Sequence, residues 1–209
     1  MRRTFQYRLY PNKAQEQTLL FWLRRCCALY NACLEESKAA WTMQGKSLSA
    51  FDQINELPDL KQAFPAYQEV PSHVLQEVIR RHYKAKQAFF RRVALGVKPG
   101  YPRYKSTNRY HSFTYPDKAG WKLDEKHLML SEIGDVKIKL HRPIQGKIKT
   151  VTIRRDVDQW YATFSCEVPE AAPLPPSDAA VGLDLGVRYF ATLSTGEHIE
   201  NPRHAPLAA

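Results

Sequence analysis

The sequence predicts an α+β fold: a small β-barrel with a helical insertion, followed by the first strands of a further, incomplete domain. Three observations predict it. Residues 3–10 and 160–168 alternate apolar and polar positions, the two-residue period of a strand with one face on a core. Residues 19–34 and 74–93 carry apolar side chains at three- and four-residue spacing, the helical period. Residues 169–176, Pro-Glu-Ala-Ala-Pro-Leu-Pro-Pro, make a stiff linker between the last clear strand and the C-terminal segment.

In the first strand Phe5, Tyr7 and Leu9 face one way, Gln6 and Arg8 the other. Pro11 ends it, and Asn12 with Gln15 three residues on reads as a helix N-cap with its capping-box partner. Leu19, Leu20, Leu23, Cys26, Cys27, Tyr30, Cys33 and Leu34 then mark a helix that should run to about Met43 and stop near Gly45. Residues 46–70 read as short helical pieces broken by Pro58 and Pro65. A second long helix begins just after Pro71 and ends at Gly96. Its apolar stripe is Val74, Leu75, Val78, Ile79, His82, Phe89, Phe90 and Val93, and its other face bears Arg80, Arg81, Lys84, Arg91 and Arg92.

Residues 97–118 form a loop or edge segment rich in Pro, Tyr and Arg. Strands are expected at 128–130, 136–140, 147–154 and 160–168, and short strands separated by turns suggest a small barrel. The expected organisation is a barrel of residues 1–10 and 97–168, an insertion of 11–96, a linker of 169–178 and an incomplete domain of 179–209. This last segment reads as an apolar strand around Asp184, a turn and a second strand. Two strands do not hold themselves folded, so the segment either docks on the barrel or opens a domain.

The chain has 209 residues, enough to bury a real core. No apolar run is long enough to span a membrane, and the N-terminus lacks the apolar stretch of a signal peptide, so no membrane partner is expected. Cys26, Cys27, Cys33 and Cys166 form no C-x-x-C pair. They suggest neither a zinc site nor a disulfide framework, and read as core thiols in a reducing cytoplasm. Phosphate-binding G-x-x-x-x-G-K, nucleophile-elbow G-x-S-x-G and H-E-x-x-H patterns are all missing from the sequence.

Charge is more informative. Lys+Arg number 31 against 21 Asp+Glu, a formal net charge of +10. Residues 80–118 hold eleven basic residues and one acid, Asp117; residues 137–155 hold seven and none. Residues 50–78 are acidic. Such clustering is the footprint of a polyanion, although a single basic cluster reads equally as a solvated face. Tyr101, Tyr104, Tyr110, His111, Phe113 and Tyr115 lie among the first cluster's charges, and rings can stack on unpaired bases while cations hold phosphates.

An ordered set of short segments carries a family resemblance. It comprises Arg8-Leu9-Tyr10-Pro11-Asn12 with Gln15, then Tyr30-Asn31, Leu75-Gln76 and Phe89-Phe90. Gly100-Tyr101-Pro102-Arg103-Tyr104-Lys105, Ser112-Phe113-Thr114, Gln145-Gly146-Lys147-Ile148-Lys149 and Gly182-Leu183-Asp184-Leu185-Gly186-Val187 come next in order. Together they resemble the front half of TnpB, the RNA-guided DNA nuclease of bacterial insertion sequences. The resemblance implies that the barrel is a wedge domain, that the helices are a recognition insertion, and that residues 179–209 open a RuvC nuclease domain of RNase H-like fold. It implies a guide RNA and a double-stranded DNA target as partners, with base pairing reading most of the sequence.

Asp184 matches the family's first catalytic carboxylate and Mg²⁺ ligand, a role that hard carboxylate oxygens suit. From the local pattern alone it reads equally as an Asp in a turn. An acid in this apolar strand would be costly to bury unpaired. The family's downstream Glu and Asp, and its usual zinc ribbon, have no match here, and neither Glu197 nor Glu200 stands in for that Glu. Mg²⁺ is therefore expected only where the nuclease site is completed, for instance by a partner chain, and these residues alone are expected not to cleave DNA.

Ser72, His73 and Gln76, at the start of the second helix, and Thr114 match DNA-contacting positions in the family. Gln can pair bidentately with adenine; the plainer alternative is Ser72 as a cap and Gln76 as a solvated residue. Lys98, Arg103, Lys105 and Arg109 are expected on nucleic-acid phosphates. A non-cleaving RNA-guided binder, or a stand-alone DNA-binding repressor, remains the competing reading.

Overall fold

Strand β1 (Arg2–Tyr10) buries Phe5, Tyr7 and Leu9 and leaves the residues between them more open to solvent, as the alternation predicts. The computed structural model describes residues 1–116, 120–170 and 180–202. Two compact units divide the chain, Met1–Pro169 and Glu170–Ala209.

The first unit is a mixed helix and sheet structure. Helix α1 (Lys13–Gln44) starts on the expected capping box: the Asn12 side chain accepts from the Gln15 amide at 2.9 Å, and the Gln15 side chain accepts from the Asn12 amide at 3.0 Å. It ends at Gly45, whose φ of 63° is the left-handed conformation that closes helices. Two short helices, α2 (Ala50–Asn55) and α3 (Leu57–Ala63), fill the next stretch. Pro58 does not break a helix; it lies in the first turn of α3, where its missing amide is unneeded. Helix α4 (Ser72–Ala94) begins directly after Pro71.

The apolar stripe of α4 is shorter than its sequence suggests. Val74, Leu75, Val78, Ile79 and His82 are buried, but Phe90 and Val93 are about half exposed. Lys86 takes the next inward position, and its ammonium donates to the Leu48 carbonyl. Arg81, expected on the solvated face, instead turns to the sheet and donates to Ser112.

Seven strands form one antiparallel sheet in the order β2-β6-β7-β1-β5-β4-β3. They are β1 with β2 (Ser112–Tyr115), β3 (Trp121–Leu123), β4 (His127–Leu130), β5 (Gly134–Lys139), β6 (Lys147–Asp156) and β7 (Gln159–Glu167). The first strand lies between β7 and β5, so the chain leaves the sheet after β1, builds the helices and returns. The sheet is strongly curled: Trp121 on edge strand β3 sits 6.1 Å from Phe164 on β7, four strands away in the order. Strand β3 has only three residues, too few for its alternation to register in the sequence.

Helix α1 runs along this sheet. The Gln15 amide group donates to the Asp135 carbonyl at 2.9 Å, Trp160 Nε1 donates to Glu16 at 3.2 Å, and Trp22 packs on Phe113 and Tyr115 of β2. All four cysteines are buried and free, as expected of core thiols. Burial pushes the Cys26 and Cys33 thiols up to about 12, so neither is a nucleophile at neutral pH. Phe113, Tyr115 and Tyr110 are also core residues, which removes three rings from the set expected to stack on bases.

The second unit holds β8 (Leu183–Leu185), β9 (Tyr189–Leu193) and β10 (His198–Glu200), antiparallel in the order β10-β9-β8. The sequence predicts only two of these strands; Gly196 at φ 88° turns the chain into the third. Most of the expected linker (171–178 of 169–178) and the end of the last segment (203–209) lie outside the described residues.

Candidate nucleic-acid interface

The segment joining α4 to β2 carries four exposed cations and no acid, and the fold holds it in place at several points. Asn31 on α1 grips the backbone of Lys105 from both sides: its Nδ2 donates to the Lys105 carbonyl at 2.8 Å and its Oδ1 accepts from the Lys105 amide at 2.9 Å. Cys27 donates to the same carbonyl at 3.2 Å. Lys38 lies 4.2 Å over the Tyr104 ring. On the α4 side, Phe89 meets the Tyr101 ring edge-on at 5.1 Å, and Arg92 donates to the Gly100 carbonyl at 3.3 Å. A loop with this many anchors presents its side chains on a fixed backbone.

Lys98, Arg103, Lys105 and Arg109 are all exposed on this segment, and none pairs with a carboxylate among the described residues. Four unneutralised cations on a held backbone form a positive strip suited to phosphates. Of the aromatic set, Tyr104 and His111 stay exposed, and Tyr101 is half-buried against Phe89.

The start of α4 lies against the end of β2, with the His73 ring 5.4 Å from Tyr115. Ser72 does not cap the helix; Pro71 occupies the cap position. The Ser72 hydroxyl accepts from Lys61 Nζ at 2.9 Å, and Lys61 also donates to the Val70 carbonyl at 3.0 Å. Burial draws the Lys61 ammonium down from its ordinary value. Ser72 is exposed, and Gln76, half-buried, comes one turn later on the same face.

Thr114 is engaged inside the protein. Its hydroxyl lies 2.9 Å from that of Thr152 on β6 and accepts from Arg81 at 3.3 Å. Arg81 also donates to the Ser112 carbonyl at 2.7 Å and covers the Tyr110 ring at 5.5 Å. The guanidinium therefore ties α4 to β2. Burial raises the Tyr110 and Tyr30 phenols, while Arg81 opposes both shifts.

Asp184 is the middle residue of β8, opposite Thr192 of β9, and all three β8 residues are exposed. The expected cost of burying an acid in this strand therefore does not arise. Among the described residues no three His, Cys, Asp or Glu side chains come together as a metal-binding group.

Residues 1–46 match the family model HTH_OrfB_IS605, described as a helix-turn-helix domain. Nearly the whole chain aligns with a putative RNA-guided DNA endonuclease from Streptomyces pristinaespiralis, 30% identical over 210 residues, covering 98% of this chain and 51% of the relative. It also aligns with the putative RNA-guided DNA endonuclease InsQ from Escherichia coli (strain K12), 28% identical over 200 residues, covering 94% of this chain and 48% of the relative. This is a TnpB-type chain. It spans about half the length of the curated relatives it matches. A chain in the cryo-EM structure of the Cas12f1-sgRNA-target DNA complex is a looser likeness, with a TM-score of 0.46 and 13% identity, covering 97% of this chain and 57% of that one.

In this TnpB-type chain the stretch matched as helix-turn-helix folds as strand β1 and the unbroken 32-residue helix α1. The sequence shows Asn31 only as part of a pattern and gives no hint of its clamp on Lys105. A side-chain amide reaching a backbone 74 residues away leaves no local signal. Periodicity also puts Arg81 on the wrong face of α4, because an arginine inside a helical charge cluster reads as solvated.

Proposed function

We propose that these residues are the nucleic-acid-holding part of an RNA-guided DNA endonuclease. The curled sheet of the first unit serves as a wedge-type barrel, α1 to α4 serve as its recognition insertion, and β8 to β10 open a RuvC-like nuclease domain. The observation that carries this reading is the strip Lys98, Arg103, Lys105 and Arg109, exposed, without carboxylate partners among the described residues, and fixed to α1 by Asn31. The names of the relatives, both putative RNA-guided DNA endonucleases, fit it.

In this reading the strip binds phosphates of the guide RNA or of the double-stranded target, while Ser72, His73 and Gln76 face the motif beside the target. Asp184 is the first carboxylate of the nuclease site. A divalent ion there would polarise the scissile phosphate, but one carboxylate does not hold two Mg²⁺ ions. Residues 1–209 by themselves then bind without cutting. The remaining ligands have to come from further residues or from a partner chain, and the working compartment is the cytoplasm.

The test is to co-express the chain with RNA from the DNA flanking its gene, purify it, and add Mg²⁺ with a plasmid carrying a matched target. Retained RNA and an intact plasmid are expected. A preparation free of RNA would contradict the binding role. Cutting that disappears in Asp184→Ala would show that these residues suffice for cleavage.

A further inference from the structure

A second cationic site lies away from the anchors of the Lys98–Arg109 strip, in a cavity of about 260 Å³ between α1, the turn at 107–109 and the β6–β7 hairpin. Arg24 lines it from α1, Arg155 from the end of β6, and His111 from just before β2; Thr107 and Asn108 line the same space. No acid is among its described lining residues. Arg24 is exposed and has no carboxylate partner among the described residues. The ion pair of Arg155 is a long one, 3.5 Å to the well-exposed Asp158, and its Nε is buried with no hydrogen-bond partner among the described residues.

The backbone fixes this arrangement. The Arg155 amide donates to the His111 carbonyl at 2.8 Å, which holds the two residues side by side. Tyr110, at the back of the cavity, is 3% exposed, and its hydroxyl is buried and likewise without a hydrogen-bond partner among the described residues. Two guanidiniums, an imidazole, an amide and a hydroxyl thus line one small space, and the long, exposed pair of Arg155 with Asp158 is the one acid contact of the two guanidiniums among the described residues. Buried donors left without a partner in a cationic cavity point to a ligand that supplies acceptors.

We propose that this cavity holds a phosphodiester of a bound RNA strand, with Arg24 and Arg155 on the phosphate oxygens and Asn108 and Thr107 on the adjoining ribose. The amide and hydroxyl at the same cavity match the donor and acceptor character of a 2′-hydroxyl, which DNA lacks. The site rests on the RNA-binding role proposed above and adds a contact point to it.

The experiment measures binding of the flanking-DNA transcript, and of a single-stranded DNA of the same sequence, to the full chain over a range of salt concentrations. Wild type is compared with Arg24→Gln, Arg155→Gln and the double variant, with thermal melts confirming that each is folded. Arg24 is exposed on the surface of α1, so Arg24→Gln serves as the variant that keeps the fold if Arg155→Gln disturbs the hairpin. The expected result is RNA affinity about tenfold weaker in the double variant, with the salt slope shallower by about one to two, and a smaller loss for DNA. Wild-type RNA affinity and slope in Arg24→Gln and the double variant would overturn the site while leaving the RNA-binding role intact. Equal losses for RNA and DNA would overturn the assignment to RNA. No RNA binding by the wild type would remove the broader role and this site with it.

Discussion

Asn31 holds Lys105 by both backbone groups, its amide nitrogen 2.8 Å from the carbonyl oxygen and its amide oxygen 2.9 Å from the backbone nitrogen. Asn31 is thus the one anchor that grips both backbone groups of a residue in the cationic strip, beside the contacts at Tyr101 and Tyr104. Asn31→Ala should cost about 1–2 kcal/mol of stability and should weaken RNA binding several-fold, because the strip must then be ordered on binding. Denaturant melts and binding titrations check both. Unchanged RNA affinity in a destabilised variant would make the clamp purely structural.

Acid sensitivity should trace to His82. Burial lowers its imidazole to about 4, with Lys86 adding to the shift, and neither ring nitrogen has a hydrogen-bond partner among the described residues. The residue is 1% exposed, meeting Tyr30 edge-on at 5.6 Å. A free histidine takes up a proton near pH 6.5 and this one does not until about pH 4. Between those values the unfolded chain binds more protons than the folded one, so stability falls as pH falls. The loss should be on the order of 2 kcal/mol by pH 5, and His82→Leu should remove that part of it. Equal losses in both proteins between pH 7 and pH 5 would place the acid sensitivity elsewhere.

Gly146 should resist substitution. Its φ is 80°, and an added Cβ would run into the carbonyl oxygen of Glu167 and the Val168 side chain. Gly146→Ala meets both the left-handed backbone cost and a clash with backbone, so a loss of about 2 kcal/mol or more is expected. A thermal melt matching that of wild type would mean that the β6 start relaxes freely.

Gln76 and Thr114 should behave differently although the sequence resemblance proposes both as DNA-contacting residues. Gln76 is half-buried one turn into α4, so Gln76→Ala should change which target-adjacent motif is preferred. Thr114 is bonded to Thr152 and Arg81, so Thr114→Val should cost about 1 kcal/mol of stability. A selection over randomised flanking sequence, read for each variant, separates them. Uniform weakening across all motifs in Gln76→Ala would remove its base-reading role.

The regular elements are legible in the sequence because their signals are local. The Asn12–Gln15 capping box, the stop at Gly45 and the alternation of Trp160, Ala162, Phe164 and Cys166 each lie within a few residues of what they determine. Long-range consequences are not legible. The inward turn of Arg81 depends on Ser112 and Thr114, and the burial of Phe113 and Tyr115 depends on α1 lying over β2. Strand β10 escapes a sequence reading because three residues carry almost no periodic signal. For the candidate site, the cationic strip is visible in composition, whereas the cavity of Arg24, His111 and Arg155 joins three separate segments and exists only in the fold.

If the chain holds RNA and uses it to find DNA, its choice of duplex must depend on that RNA. The deciding experiment is binding of the RNA-loaded chain to a duplex that matches the RNA, against a scrambled duplex of equal length, at physiological salt and without Mg²⁺. The matched duplex should bind tightly, the preference should vanish when the RNA is removed, and the scrambled duplex should bind weakly and in a salt-sensitive way. Equal binding of both duplexes, with or without RNA, would rule out RNA guidance and leave a stand-alone DNA-binding protein.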